Sequence, residues 1–508
     1  MGNIAPMMKE LASDKIRLAI MASVFVLSAC ATALAEEPEQ GGWIELQTHE
    51  RFETGAESNH TELEYRVGWN SLELDEEAEG RTTTISATSY LCECGGTGKR
   101  PVLFAFNGGP GASSSPLHFA LGPRKRDEGA ASFPSNPHTV IGSADLVFID
   151  PVETGFSRAA SLDGKSKYLG VAGDVEAVSN FMRRWLIEHD RETDPVFILG
   201  QSYGGFRLSN LLPAVSDLNV AGLLMVSPAI DMSASNSDMN KVFSFPTMAA
   251  TAWKYGKSDI QAESERDAWS VARDFAESDY LLALQKGDEL DPDTEARVAS
   301  EFAGMAGLPV GFVLERNLRV PTQDFLEALL SDDNRLVSRL NTGVSQEKRP
   351  PANTERPDGA NDPSLGLGRS NKIVSEEIGR YLERVTGATR DDGYRSLNLD
   401  ANFAWDWRDD PGISPFSFSA AGRLSAYLNQ SDDVRLLVFG GYRDLAVPLL
   451  ETQYVLTHSN LPQERIELIA MEGGHSPYAE DGLDAEFSQH VERFIRAAAI
   501  EHKKEEVQ

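Results

Sequence analysis

Cysteine is scarce, with three in 508 residues. Cys30 falls in the N-terminal leader, while Cys92 and Cys94 form a lone C-x-C before Gly95 and Gly96. Two thiols with no further ligands make a poor zinc site. They form a small disulfide in a turn or stay as thiols, and neither option staples the fold, so stability must come from the core. Positive charge is short as well: 47 Lys and Arg face 78 Asp and Glu, a net charge of −31. With no basic cluster to offset that acidity, phosphate backbones are repelled and nucleic acid is excluded as a partner. Internal repeats are absent, and past the leader no apolar stretch is long enough to cross a membrane. The 41 % apolar and 25 % charged residues are those of an ordinary globular chain with a sizeable core.

The leader has its own logic. Lys15 and Arg17 precede an apolar run from Leu18 to Ala29, the pattern of an export signal and too short for a comfortable span. Ala33-Leu34-Ala35 before Glu36 fits one processing rule. Leu27-Ser28-Ala29-Cys30 resembles a bacterial lipobox, which would make Cys30 the lipidated first residue, and this reading is preferred. The expectation is an exported protein, periplasmic or membrane-anchored as a lipoprotein.

The chain is organised around Val196 to Phe206. Val196 to Leu199 read as a short buried strand, Gly200-Gln201-Ser202-Tyr203-Gly204 fits the G-x-S-x-G elbow, and Phe206 to Val215 carry a helical rhythm. Such a turn lifts a serine hydroxyl above the edge of a sheet. Before it, alternating runs between Trp43 and Leu91 predict antiparallel edge strands, and Pro101–Phe106 and Asp145–Asp150 predict buried ones. A helix is expected over Val171–Ile187 and a strand over Val220–Val226. The rhythm breaks from about 230 to 399, where helix-like segments (Ala262–Leu284, Asp291–Met305) alternate with loops. It resumes with Val434–Phe439 and Arg465–Ala470. The expected fold is α/β, with a mostly parallel central sheet, helices on both faces and a helical insertion on top of it. The expected boundaries are an export signal at 1–29 (or cleavage after 35), core at 43–229, cap at 230–399 and core again at 400–500.

A serine needs a base to take its proton and an acid to orient that base. In this architecture the chain order is serine, acid, histidine. Of nine histidines, His475 alone sits in a glycine-flanked loop between the last predicted strand and the final helix. Asp444 follows the strand ending at Phe439, on the correct side of the sheet, whereas Asp432 and Asp433 precede it. The candidate triad is Ser202, Asp444 and His475, a set that calls for no metal or cofactor. The two N–H donors for an oxyanion are expected from Tyr203, directly after the serine, and from Gly109 in Asn107-Gly108-Gly109-Pro110-Gly111.

Asn-Gly-Gly-Pro-Gly-x-Ser-Ser followed by Gly-x-Ser-Tyr-Gly-Gly resembles the serine carboxypeptidase family, in a bacterial-type form, as does Asp150-Pro-Val-Glu-Thr-Gly-Phe-Ser157. The resemblance implies an α/β-hydrolase fold in which the helical insertion is a cap, catalysis by Ser202, Asp444 and His475, an oxyanion hole of Gly109 and Tyr203, and Asn107 and Gly108 holding a substrate carboxylate. Characterised eukaryotic members carry Glu before the nucleophile and a second Glu after the glycine loop. Here those positions are Gln201 and Ala120, and the usual loop cysteine is Ala112. Gln201 is expected to bind substrate through its amide at any pH. Without the acid pair, activity should lack an acid optimum and rise as His475 loses its proton, near ~6.5 for an ordinary histidine.

The expected activity is that of an exported serine-type carboxypeptidase releasing C-terminal residues from peptides through an acyl-enzyme. The alternatives are an esterase, amidase or acyltransferase on the same scaffold, and behind them a non-catalytic binding protein.

Overall fold

The computed structural model describes residues 42–53, 62–77, 81–95, 99–126, 132–235, 237–408 and 418–505. The leader and Cys30 lie outside the described residues. Nine strands form one sheet in the order β1 (Trp43–Glu53), β2 (Glu62–Glu77), β3 (Arg81–Cys92), β5 (Asp145–Asp150), β4 (Val102–Phe106), β6 (Val196–Gln201), β7 (Val220–Val226), β8 (Arg435–Gly441) and β9 (Ile466–Met471). From β5 to β9 every pairing is parallel, while β1, β2 and β3 add an antiparallel meander at one edge. This is the α/β-hydrolase fold, with the predicted strands in place to within a residue or two. Cys92 and Cys94 are joined as a disulfide at the end of β3.

The central strands are buried on both faces because successive side chains point to opposite sides. Leu103, Ala105, Phe197, Leu199, Leu437 and Phe439 enter one core. There they meet α1 (Ser115–Leu121), α7 (Glu376–Thr386) and α10 (Leu483–Glu505). Val102, Phe104, Ile198, Leu436 and Val438 enter the other, against α2 (Val171–Glu188), α3 (Tyr203–Leu211) and α8 (Ala421–Gln430). In α2 the buried stripe runs through Val178, Phe181, Met182 and Trp185, and Val175 only borders it.

A third apolar cluster joins α4 (Asp238–Lys254), α5 (Glu265–Phe275) and α6 (Pro292–Ala306) around Phe245, Phe275, Tyr280 and Phe302. The helix expected over Ala262–Leu284 starts later, because Ser264 caps it by accepting from the Asp267 amide. A π-helical turn, Ala276–Tyr280, then carries it on to Lys286 and seats the Tyr280 hydroxyl on the Leu318 carbonyl at 2.7 Å. Helix α6 begins where expected: Asp291 caps the Thr294 amide, Pro292 opens the first turn, and Gly307 closes the helix at φ +67°. Among the described residues, no helix is long and apolar enough to cross a membrane.

Candidate active site

Strand register brings distant residues to one edge. Phe106 pairs with Gly200, Gln201 with Val226, Val226 with Phe439, and Gly441 with Met471. The loops after β4, β6, β8 and β9 therefore all emerge at the carboxyl edge of the sheet, where parallel α/β folds bind ligands.

Ser202 sits in the turn from β6 into α3 at φ 60°, ψ −126°, a conformation that costs a non-glycine residue free energy and persists only when its surroundings enforce it. The enforcement is visible. The Ser202 amide donates to the Val226 carbonyl at 2.9 Å, and the Ser202 carbonyl accepts from Ala229 at 3.1 Å and Gly205 at 2.8 Å. A Cβ on Gly200 would lie 2.2 Å from the Gly204 carbonyl oxygen, so the turn closes only with glycine there.

The loop after β4 packs directly on this turn. A Cβ on Gly108 would fall 2.5 Å from the Tyr203 amide nitrogen and 2.7 Å from the Gln201 carbonyl oxygen. Gly109 follows at φ +105° and is exposed at the rim. On the far side the loop is held by Asp150, whose Oδ1 accepts from the Ser114 amide (2.8 Å), the Ser114 hydroxyl (2.7 Å) and the Tyr394 hydroxyl (3.2 Å). Burial nevertheless pushes the Asp150 carboxyl up to about 6, against those hydrogen bonds. Beneath the loop, Arg207 donates to the Asn107 carbonyl at 2.6 Å and pairs with Asp174 at 2.6 Å, both side chains buried.

Asp444 is fully buried three residues past β8. Its Oδ1 accepts from the Ala446 and Val447 amides at 2.8 and 3.0 Å, and its Oδ2 meets His475 Nδ1 at 2.7 Å. His475, four residues past β9, keeps its side chain 14 % exposed. Its backbone amide donates to the Leu340 carbonyl at 2.7 Å. Asp444 and His475 are thus brought together, at the sheet edge that also carries the elbow after β6. The loop of His475 is tied to the elbow by Gln201, whose Nε2 reaches the His475 carbonyl at 2.9 Å.

Gln201 differs from its expected part. Both of its amide hydrogens are taken by His475 and Ser476, and its Oε1 accepts from Asn107 and Tyr478, so no free donor faces a substrate. Asn107 uses one amide hydrogen on Gln201 and accepts from the Leu117 amide at 3.4 Å. Ala120 is partly buried against the first core.

One further carboxyl feels the charge of Asp444. Glu451, in the first turn of α9 (Leu449–His458), lines a cavity of about 260 Å³ with Asp231, Ser233, Ser237 and Tyr454. Burial, helped by the negative charges of Asp231 and Asp444, pushes Glu451 up to about 7 from an ordinary 4.5. Between those two values the folded state holds a proton that the unfolded chain has lost. Stability from this group is therefore full below about 4.5 and lost as pH rises through about 7. Glu451→Gln should match the wild-type melting temperature at a pH below about 4.5 and exceed it above about pH 7. Equal melting temperatures at both pH values would refute this reading of Glu451.

Residues 92–268, which hold the glycine loop and the elbow, match the family model for serine carboxypeptidase. Over this stretch the chain is similar to the serine carboxypeptidase family. Two curated members from Arabidopsis thaliana illustrate the likeness. Serine carboxypeptidase-like 33 is 30 % identical over 151 residues, covering 27 % of this chain and 31 % of its own length. Serine carboxypeptidase-like 36 is 32 % identical over 142 residues, covering 26 % and 29 %. The chain spans about a third of the length of the curated serine carboxypeptidases it matches. Among solved structures, a prohormone-processing carboxypeptidase from Saccharomyces cerevisiae is similar over 89 % of this chain and 91 % of that one, at 13 % identity and TM-score 0.48. An esterase from Exiguobacterium antarcticum is similar over 83 % and 98 %, at 11 % identity and TM-score 0.32.

Proposed function

We propose that the chain is a serine-type carboxypeptidase that releases C-terminal residues from peptides. The Ser202 hydroxyl attacks the last peptide carbonyl while His475 Nε2 takes its proton, and Asp444 holds the imidazole in the tautomer that leaves Nε2 free. The tetrahedral oxyanion is received by the amides of Gly109 and Tyr203. As the C–N bond breaks, His475 returns the proton to the departing amine, leaving an ester on Ser202. Water then attacks that ester with His475 again as base, freeing the shortened peptide and restoring the serine. Asn107 and Gly108 face the carboxylate of the departing residue, and the segment 230–399 acts as the cap that selects side chains. The leader points to export, with Cys30 as a lipid anchor that would hold the protein at a periplasmic membrane face.

The observation that carries this reading is the 2.7 Å bond from Asp444 to His475 at the sheet edge that also holds the elbow. A second reading, an esterase, amidase or acyltransferase, draws on the absent acid pair and on the closed hydrogen-bonding of Gln201. Hydrolysis of a blocked dipeptide as free acid and as C-terminal amide separates the two. A strong preference for the free acid is expected, and equal rates or a preference for the amide would favour the second.

A further inference from the structure

Gln201 is 2 % exposed and makes four hydrogen bonds, the full capacity of a side-chain amide. Its Nε2 donates to the His475 carbonyl at 2.9 Å and to Ser476 Oγ at 2.7 Å. Its Oε1 accepts from Asn107 Nδ2 at 2.6 Å and from the Tyr478 hydroxyl. The orientation is fixed by chemistry, since only the nitrogen end can face a carbonyl oxygen. Three of the four partners belong to the segment 475–478 that carries the histidine, and the fourth to the glycine loop after β4. The backbone of Gln201 meanwhile ends β6, one residue before Ser202.

We infer that Gln201 is a positioning residue: it clamps the histidine loop and the glycine loop to the nucleophile strand, setting where the His475 imidazole stands relative to Ser202. The inference rests on the proposed role of Ser202 and His475, and it takes Gln201 out of direct contact with substrate. A glutamate could not do the same work once ionised, because a carboxylate has no hydrogen to offer the His475 carbonyl or the Ser476 hydroxyl as acceptor. It would set negative charge against a carbonyl oxygen in a buried site, at the cost that unpaired buried groups carry.

The consequences for rate follow from geometry. Misplacing a catalytic group by about 1 Å costs on the order of 10²-fold. Gln201→Ala should therefore lower kcat on a blocked free-acid dipeptide by about 10²-fold, with KM and the free-acid over amide preference unchanged. Gln201→Glu should keep near wild-type kcat at pH values where its new carboxyl is protonated and lose it reversibly as that group ionises. The wild type should show no such descending limb. General destabilisation would not produce a reversible limb tied to one introduced carboxyl.

The deciding measurement is the rate of labelling by a small fluorophosphonate, which needs an activated Ser202 but no peptide. Labelling slowed by Gln201→Ala as much as kcat, with the limb in Gln201→Glu, supports the positioning role. Unchanged labelling with a raised KM for the free acid would overturn it and return Gln201 to substrate binding. If the wild type labels at Ser202 yet cleaves no peptide, the carboxypeptidase reading fails while the effect of Gln201 on labelling still decides this inference.

Discussion

Asp444→Asn is expected to lower kcat by about 10⁴-fold, the loss that follows when this change fixes the wrong imidazole tautomer, while leaving the melting temperature close to wild type. The reason lies in the two ends of the carboxylate. Oδ1 accepts from the Ala446 and Val447 amides at 2.8 and 3.0 Å, and Oδ2 meets His475 Nδ1 at 2.7 Å. An asparagine must keep its oxygen toward the two backbone amides, because turning it round would aim NH₂ at N–H. Its NH₂ then occupies the position of Oδ2 and donates to Nδ1. An imidazole that accepts at Nδ1 carries its proton on Nε2, and so has no lone pair for the Ser202 proton. The fold loses little, since volume and the two backbone hydrogen bonds are retained. Turnover of the blocked free-acid dipeptide, compared with thermal melting of the same samples, reads both effects. A kcat within about tenfold of wild type would remove Asp444 from the mechanism, because even modest general-base catalysis contributes more than that.

Much of the candidate site was legible because its pieces are local patterns. The elbow needs only a strand, a glycine-flanked serine and a helix in succession, and all three lie within Val196 to Leu211. Asp444 and His475 could be picked because each follows a strand end, and parallel pairing carries strand ends to the same edge. What escaped is what depends on packing between remote segments. In sequence Gln201 has the place of a donor to substrate, because nothing near it announces that Ser476 and Tyr478, more than 270 residues on, will fill its hydrogen bonds. Arg207 is one polar residue in an apolar helical stretch, and it is buried because Asp174 of α2 comes to meet it. Helix α7 is likewise one amphipathic stripe among several after Val226. Its packing on the β1 and β2 edge of the sheet, through Ile378, Tyr381, Leu382 and Val385 of the first core, is a tertiary choice.

That buried Arg207–Asp174 pair separates what holds the site together from what shapes it. Asp174→Ala should destabilise the protein by about 3–5 kcal/mol, because it strands a guanidinium in the interior. Arg207 would be left with the Asn107 carbonyl at 2.6 Å and the rings of Phe106 and Tyr203 at 5.3 and 5.1 Å. Neither neutralises its charge. Burial already pushes the Asp174 carboxyl up, with Arg207 opposing that shift, so the pair is held against a desolvation cost and not by surplus attraction. Replacing both partners, Asp174→Leu with Arg207→Met, removes the charges together and should restore stability to near wild type or above it. Activity should not return with it. The Asn107 carbonyl would have lost its Arg207 donor beneath the loop whose Gly108 lies against the Tyr203 amide. Urea unfolding and kcat measured on the single and double variants test the two halves separately. Recovery of stability without recovery of kcat assigns the pair to shaping the loop. Recovery of both would mean that the strands and the elbow hold the loop unaided.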